Sequence, residues 1–140
     1  MQISETKGDI IATTSNGAII IENVDGYVSA TTSNGIIEVN GTTGIKDLKS
    51  SNGGIYAEIY DIQENLSVST SNGGITIYMN PSLDVYLEMT TSNGQITISG
   101  ISLNFTISEE KHKMGRLGEG GNTVNIHNSN GNINLYKLIT

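Results

Sequence analysis

The chain has 140 residues, one domain's worth, with a net charge of −7, 15% charged and 5% aromatic residues and no cysteine. The acidic balance argues against a nucleic-acid partner and against anionic membrane surfaces, because phosphate binding needs a basic face. Without cysteine there are no disulfides and the redox compartment stays open, and no apolar run approaches the roughly 18 residues of a membrane span, so no membrane insertion is expected of this segment.

Met1-Gln2-Ile3-Ser4-Glu5 lacks the basic start and apolar run of a signal peptide. Ile3 stands twelve residues before Ser15, as Ile21 stands before Ser33, so the chain enters partway through a repeating unit. The unit is marked by Thr14-Ser15-Asn16-Gly17. It returns as Thr32-Ser33-Asn34-Gly35, Ser50-Ser51-Asn52-Gly53, Thr70-Ser71-Asn72-Gly73, Thr91-Ser92-Asn93-Gly94 and Asn128-Ser129-Asn130-Gly131. The serines are 18, 18, 20, 21 and 37 residues apart, so one copy is missing or degenerate in the last gap. A fixed period near 20 residues marks a solenoid or array.

Four residues after each serine stands an isoleucine: Ile19, Ile37, Ile55, Ile75, Ile96 and Ile133. Two further on stand Ile21, Val39, Ala57, Ile77, Ile98 and Leu135, with a variable residue between. This is a period-2 strand with one buried face. Three before each serine stand Ala12, Ala30, Leu48, Val68, Met89 and Ile126; five before stand Ile10, Val28, Lys46, Leu66, Leu87 and Val124. That is a second strand, in which Lys46 is a misfit relieved by Ile45 beside it. A third inward position, nine before the next serine, holds Val24, Thr42, Ile62 and Leu83, and Gly8, Gly26 and Gly44 fall where a second corner is expected.

Each unit thus reads strand, Ser-Asn-Gly corner, strand, second corner. Asn-Gly suits a turn with positive φ, and would also suit a meander of hairpins. The recurrence of isoleucine in one slot decides for coils that stack in parallel and in register, about 4.8 Å apart. The expected fold is all-β, a parallel β-solenoid of about seven coils of 18–21 residues in one domain over 1–140, a rod on the order of 33 Å long. Uncapped coils at both ends would expose sheet edges and invite self-association.

Residues 99–122 are irregular. Ile101, Leu103, Phe105 and Ile107 alternate like a strand, Glu109-Glu110-Lys111-His112-Lys113 stands where a corner is due, and Gly115–Gly121 leads to the last coil. This is read as a degenerate coil with a mobile, charged lobe, the first place off the regular faces to seek function.

The Thr-Ser-Asn-Gly-x-Ile-x-Ile/Val repeats, the Pro81 join before Leu83-Asp84-Val85 and the Gly-rich run before the closing Asn-Ser-Asn-Gly coil resemble the DUF4097 "putative adhesin" repeat family of bacteria and archaea. They are also similar to the head domain of "putative" autotransporter adhesins. The resemblance covers essentially the whole chain. It implies a β-helical domain, often of envelope or surface proteins, and no catalytic residue to transfer.

No constellation of catalytic residues stands out, and no enzyme activity or cofactor is expected. His112 and His127 are isolated, and no His/Cys/carboxylate spacing suits zinc or iron. Asp9, Asp25, Asp47, Asp61 and Asp84 hold no common repeat position, which argues against calcium. Gly118-Glu119-Gly120-Gly121 lacks the lysine of a phosphate loop. Stacked asparagines (Asn16, Asn34, Asn52, Asn72, Asn93, Asn130) read as a structural hydrogen-bonded ladder, and alternation points Thr14, Thr32, Thr70 and Thr91 inward. The leading expectation is a non-catalytic structural or adhesion module, at the cell surface or outside the cell with the cytoplasm kept open, whose partner is a protein or a cell-surface glycan. The alternatives are a fibre subunit joined end to end and a carbohydrate-binding or carbohydrate-active β-helix with tyrosine platforms.

Overall fold

The computed structural model describes residues 2–40, 44–60, 62, 64–80, 82–101 and 103–138; Thr42, Asp61 and Pro81 lie outside them. No helix occurs among the described residues. The strands are β1 (Gln2–Lys7), β2 (Ile10–Asn16), β3 (Ile19–Asp25), β4 (Tyr27–Asn34), β5 (Ile37–Asn40), β6 (Gly44–Asn52), β7 (Ile55–Ile59), β8 (Leu66–Asn72), β9 (Ile75–Met79), β10 (Val85–Asn93), β11 (Ile96–Ser99), β12 (Asn104–Ser108), β13 (His112–Leu117), β14 (Asn122–Asn130) and β15 (Ile133–Lys137).

They form two sheets, of order β1-β3-β5-β7-β9-β15-β11 and β12-β13-β10-β14-β8-β6-β4-β2. Each Ser-Asn-Gly corner carries the chain from the larger sheet to the smaller one. All strand pairs outside β12 and β13 are parallel, so the fold is a parallel β-solenoid. Ile19, Ile37, Ile55, Ile75, Ile133 and Ile96 stack in register in that spatial order and are all buried. Facing them from the larger sheet are Ala12, Ala30, Leu48, Val68, Ile126 and Met89, buried as well. Full burial of such a side chain is worth about 1.5–3 kcal/mol, so these columns are the main source of cohesion. Lys46 stays out of the core: the register shifts between Val28 and Ser29, Ile45 pairs with Val28 and is buried, and Lys46 swings to Glu64 at 3.5 Å.

Two features depart from a coil-by-coil reading. The last coil is not terminal. β14 lies between β8 and β10, and β15 between β9 and β11, so the spatial order of the corners is 15, 33, 51, 71, 129, 92. Residues 99–122 are not a degenerate coil either: β12 and β13 form an antiparallel pair, and β13 pairs antiparallel with β10. The chain therefore reaches β13 on one side of β10 and starts β14 on the other. It crosses the start of β10 through Gly118-Glu119-Gly120-Gly121. A Cβ at Gly118 would strike the Asp84 carboxylate, at Gly120 the Tyr86 ring, and at Gly121 the Asp84 carbonyl. Asp84 Oδ1 accepts the Glu119 N–H at 2.9 Å and pins the crossing. The glycine run is thus a close-approach device. The hairpin also covers the outer edge of β10, so that β12 becomes the edge of the larger sheet at that end while β11 remains the edge of the smaller one.

The corner is bonded in both directions along the rod. Asn34 Nδ2 donates to Asn16 Oδ1, Asn52 to Asn34, Asn72 to Asn52, Asn130 to Asn72 and Asn93 to Asn130, all at 2.8–2.9 Å. The backbone answers: Gly17 N–H donates to Asn34 O, Gly35 to Asn52, Gly53 to Asn72, Gly73 to Asn130 and Gly131 to Asn93. The glycine carbonyls are capped from inside. Buried Thr32, Ser50, Thr70, Asn128 and Thr91 donate to the carbonyls of Gly17, Gly35, Gly53, Gly73 and Gly131 respectively. A buried hydroxyl left alone would destabilise by about 1–3 kcal/mol; here the four hydroxyls each have an acceptor, while Asn128 donates its amide and keeps a buried Oδ1 without a partner.

Stacking also dictates the glycine. A Cβ on Gly35, Gly53, Gly73, Gly131 or Gly94 would be driven into the glycine carbonyl of the adjacent coil, whereas one on Gly17, at the end of the column, meets nothing within 4 Å. Both Gly17 (φ 118°) and Gly53 (φ 145°) have left-handed backbone. Gly17→Ala therefore carries conformational strain alone, about 1–2 kcal/mol, while Gly53→Ala adds overpacking of about 1–3 kcal/mol. Urea denaturation midpoints are expected to fall markedly further for Gly53→Ala; equal losses would show that stacking does not set the requirement.

Candidate functional site

The corners leave little for chemistry. Ser15, Ser33, Ser51, Ser71 and Ser92 are exposed and Ser129 half-exposed, while their Asn and Gly neighbours (Asn16, Asn34, Asn52, Asn72, Asn93, Asn130; Gly17, Gly35, Gly53, Gly73, Gly94, Gly131) are engaged in stacking. Among the described residues no three His, Cys, Asp or Glu side chains gather as a metal site. His127 is exposed, and His112 Nε2 lies 3.2 Å from Glu88 Oε2 on the face shared by β13 and β10. Lys113 Nζ sits 5.8 Å from the centre of the Phe105 ring. The hairpin thus brings no constellation beyond isolated pairs. No helix among the described residues is long and apolar enough to cross a membrane.

The outward face of the smaller sheet is different. Strand alternation aims the side chains that alternate with the inward residues of β5, β7, β9 and β15 (Glu38, Tyr56, Thr76 and Asn134 first among them) toward solvent. Three of them are tyrosines on neighbouring strands: Tyr56 packs on Tyr78 and Tyr78 on Tyr136, with ring centres 5.4 Å apart in both pairs. Tilted aromatic pairs of this kind contribute about 0.5–1.5 kcal/mol beyond area burial. Glu58 accepts the hydroxyls of Tyr56 at 3.4 Å and Tyr60 at 3.1 Å, and Glu38 accepts Asn40 Nδ2 at 3.0 Å.

Beside Tyr56 the face sinks into a trough of about 320 Å³. Gly54 and Gly74, on adjacent coils, line its floor with Tyr56 and Thr76 along one side, and Ile36 and Glu38 close one end. Sequence alone offers the six tyrosines as platforms but does not bring three of them together. The doubled glycines Gly53-Gly54 and Gly73-Gly74 were a readable signal, because the slot after the corner glycine holds Ala18, Ile36, Gln95 and Asn132 elsewhere.

Burial first, then the Glu58 carboxylate, raises the pKa of the Tyr56 phenol above its usual value, and Tyr60 is raised by burial and its bond to Glu58. A phenol that holds its proton more tightly when folded contributes stability fully present below the unfolded value of about 10 and lost as pH rises through the raised folded value. Thermal midpoints should therefore drop above about pH 10, and Tyr56→Phe should lessen that drop while leaving neutral-pH stability near that of the parent. An identical alkaline profile in the variant would count against this environment for Tyr56.

The comparisons agree with the architecture. No curated protein matches the chain. Among solved structures it is similar to that of "a putative cell adhesion protein" from Clostridium sporogenes ATCC 15579, with a TM-score of 0.59 and 13% identity over 97% of this chain and 93% of that one. At that identity the likeness is one of fold. The profile of the Toastrack DUF4097 family matches residues 1–136, and the chain belongs to that family.

Proposed function

We propose that the chain is a non-catalytic adhesion-type module of a bacterial or archaeal cell-surface or envelope protein, in which a stiff rod presents the tyrosine-lined face of its smaller sheet to a surface partner. The observation that carries this reading is the combination of a continuously bonded corner column with an outward aromatic face that lies outside the buried core. The buried columns and corner ladder account for cohesion; Tyr56, Tyr78 and Tyr136 stand outside them, in contact with one another across three coils. Rigid presentation lowers the entropy lost on binding. The similar solved structure, described as that of "a putative cell adhesion protein", lends support.

Fluorescently labelled protein should bind intact cells saturably in flow cytometry, lose that binding when unfolded, and release no reducing sugar from cell-wall polysaccharides. Absence of saturable binding to every surface tried, or steady turnover of a polysaccharide, would contradict the reading.

A second reading, end-to-end assembly into fibres, draws on the edge positions of β1, β2 and β11. Open edges accept strands from other chains. It expects scattering intensity that climbs with concentration; a constant monomer mass up to millimolar protein would remove it.

A further inference from the structure

We infer that the trough over Gly54 and Gly74 is a binding site for a neutral saccharide, an inference that rests on the adhesion reading and names the partner's chemistry. The first argument is that the fold leaves room for a side chain at Gly74 and nearly so at Gly54. Neither residue has left-handed backbone. A Cβ on Gly74 would meet nothing nearer than Asn132 O at 3.9 Å, and one on Gly54 would meet Gly74 O at 3.2 Å. The corner glycines beside them are sterically obligatory; Gly74 is not, a Cβ on Gly54 would need the Gly74 carbonyl to give by a few tenths of an ångström, and the other coils carry side chains as large as Ile36 and Gln95 in the same slot. Glycine in a sheet without positive φ is one of the marks of a place where a ligand or another backbone comes close, and at Gly74 no backbone does.

The second argument is that the gap is held open. Ile36, 48% exposed, closes one end. At the other end Asn132 is turned away, because its Oδ1 accepts the Gln95 N–H at 2.9 Å. The Tyr56 ring is kept from folding over the floor. Tyr78 packs against it and Glu58 takes its hydroxyl, both on the side away from Gly54.

The third argument is chemical. Glycine Cα atoms, the Ile36 side chain and the Tyr56 ring offer an apolar bed for the C–H face of a sugar ring, and Glu38 and Thr76 offer polar atoms for its hydroxyls. A few polar groups around an apolar, concave bed is the usual make-up of a small-ligand site, and the volume is at the small end of the range of about 300–1,000 Å³. The lining contains no lysine or arginine, so nothing in it would compensate a carboxylate, sulfate or phosphate on the ligand. Tyr78, one same-face step along from Tyr56, and Tyr136, directly beside Tyr78, continue the aromatic surface across the next coils, where further rings of an oligosaccharide would rest.

The test is titration of the ¹⁵N-labelled chain with maltotetraose, cellotetraose and chitotetraose as neutral probes and tetragalacturonate as an acidic one, followed by amide shifts. At least one neutral probe should move the Gly54 and Gly74 amides, and tetragalacturonate should not. Gly74→Gln, which fills the floor with a side chain another coil accepts, should weaken that binding at least tenfold without lowering the thermal midpoint; Tyr56→Ala, on the outer face, should weaken it too. The inference is overturned if no neutral probe moves those amides, if the acidic probe binds better, or if both variants bind like the parent. Cell binding that survives in Gly74→Gln would remove this site and leave the adhesion reading standing; loss of cell binding by the parent removes both.

Discussion

The rod depends on one corner, in which an asparagine amide passes a hydrogen bond to the next coil while a glycine carbonyl receives one from inside. These bonds run in register from Asn16 to Asn93 without a break. They fix where each coil begins, and so bring Ile19, Ile37, Ile55, Ile75, Ile133 and Ile96 into one buried column. A slip of one residue would turn every inward side chain to solvent. The glycine is required because adjacent coils touch there, carbonyl against Cα. The inward hydroxyls are required because those carbonyls are shut away from water. Polar and apolar demands are met by the same spacing, which is why the motif tolerates so little change.

A corner that fits any copy of itself places no order on the coils. The last coil can dock between the fourth and fifth because its Asn130-Gly131 offers the same bonds to Asn72 and Asn93 as any neighbour would. Order is set by the connection instead. The hairpin of β12 and β13 carries the chain past β10, and the glycine crossing pinned by Asp84 returns it to the other side. Because cohesion is concentrated inside and at the corners, the outward face of the smaller sheet is free to vary, and there the tyrosines and the glycine trough sit.

Much of this was legible in the sequence. The period near 20 residues, the isoleucine slot and the inward Thr column follow from alternation and repetition, and Ile45 is legible as the relief of Lys46, though the register shift that brings it inward is not. The stacking order was not legible, since identical columns carry no record of which coil lies beside which. The fate of residues 99–122 was hidden for a related reason: Ile101, Leu103, Phe105 and Ile107 alternate equally well in a parallel coil and in an antiparallel hairpin. The trough was half visible. Gly54 and Gly74 were in plain view, but only stacking shows that they adjoin each other and Tyr56.

Disulfide trapping tests the corner account and its order most directly, because the chain has no cysteine of its own. His127 pairs with Ser69 on one side and Thr90 on the other, on the solvent face of the larger sheet. Neighbouring strands stand about 4.8 Å apart, within reach of a disulfide, while strands two apart at about 9.6 Å are not. Ser69→Cys with His127→Cys, and Thr90→Cys with His127→Cys, should each oxidise readily to an intramolecular bridge, and Ser69→Cys with Thr90→Cys should not. Ready bridging of Ser69→Cys with Thr90→Cys, and none to His127→Cys, would mean that the coils stack in chain order and that the interleaved rod is wrong.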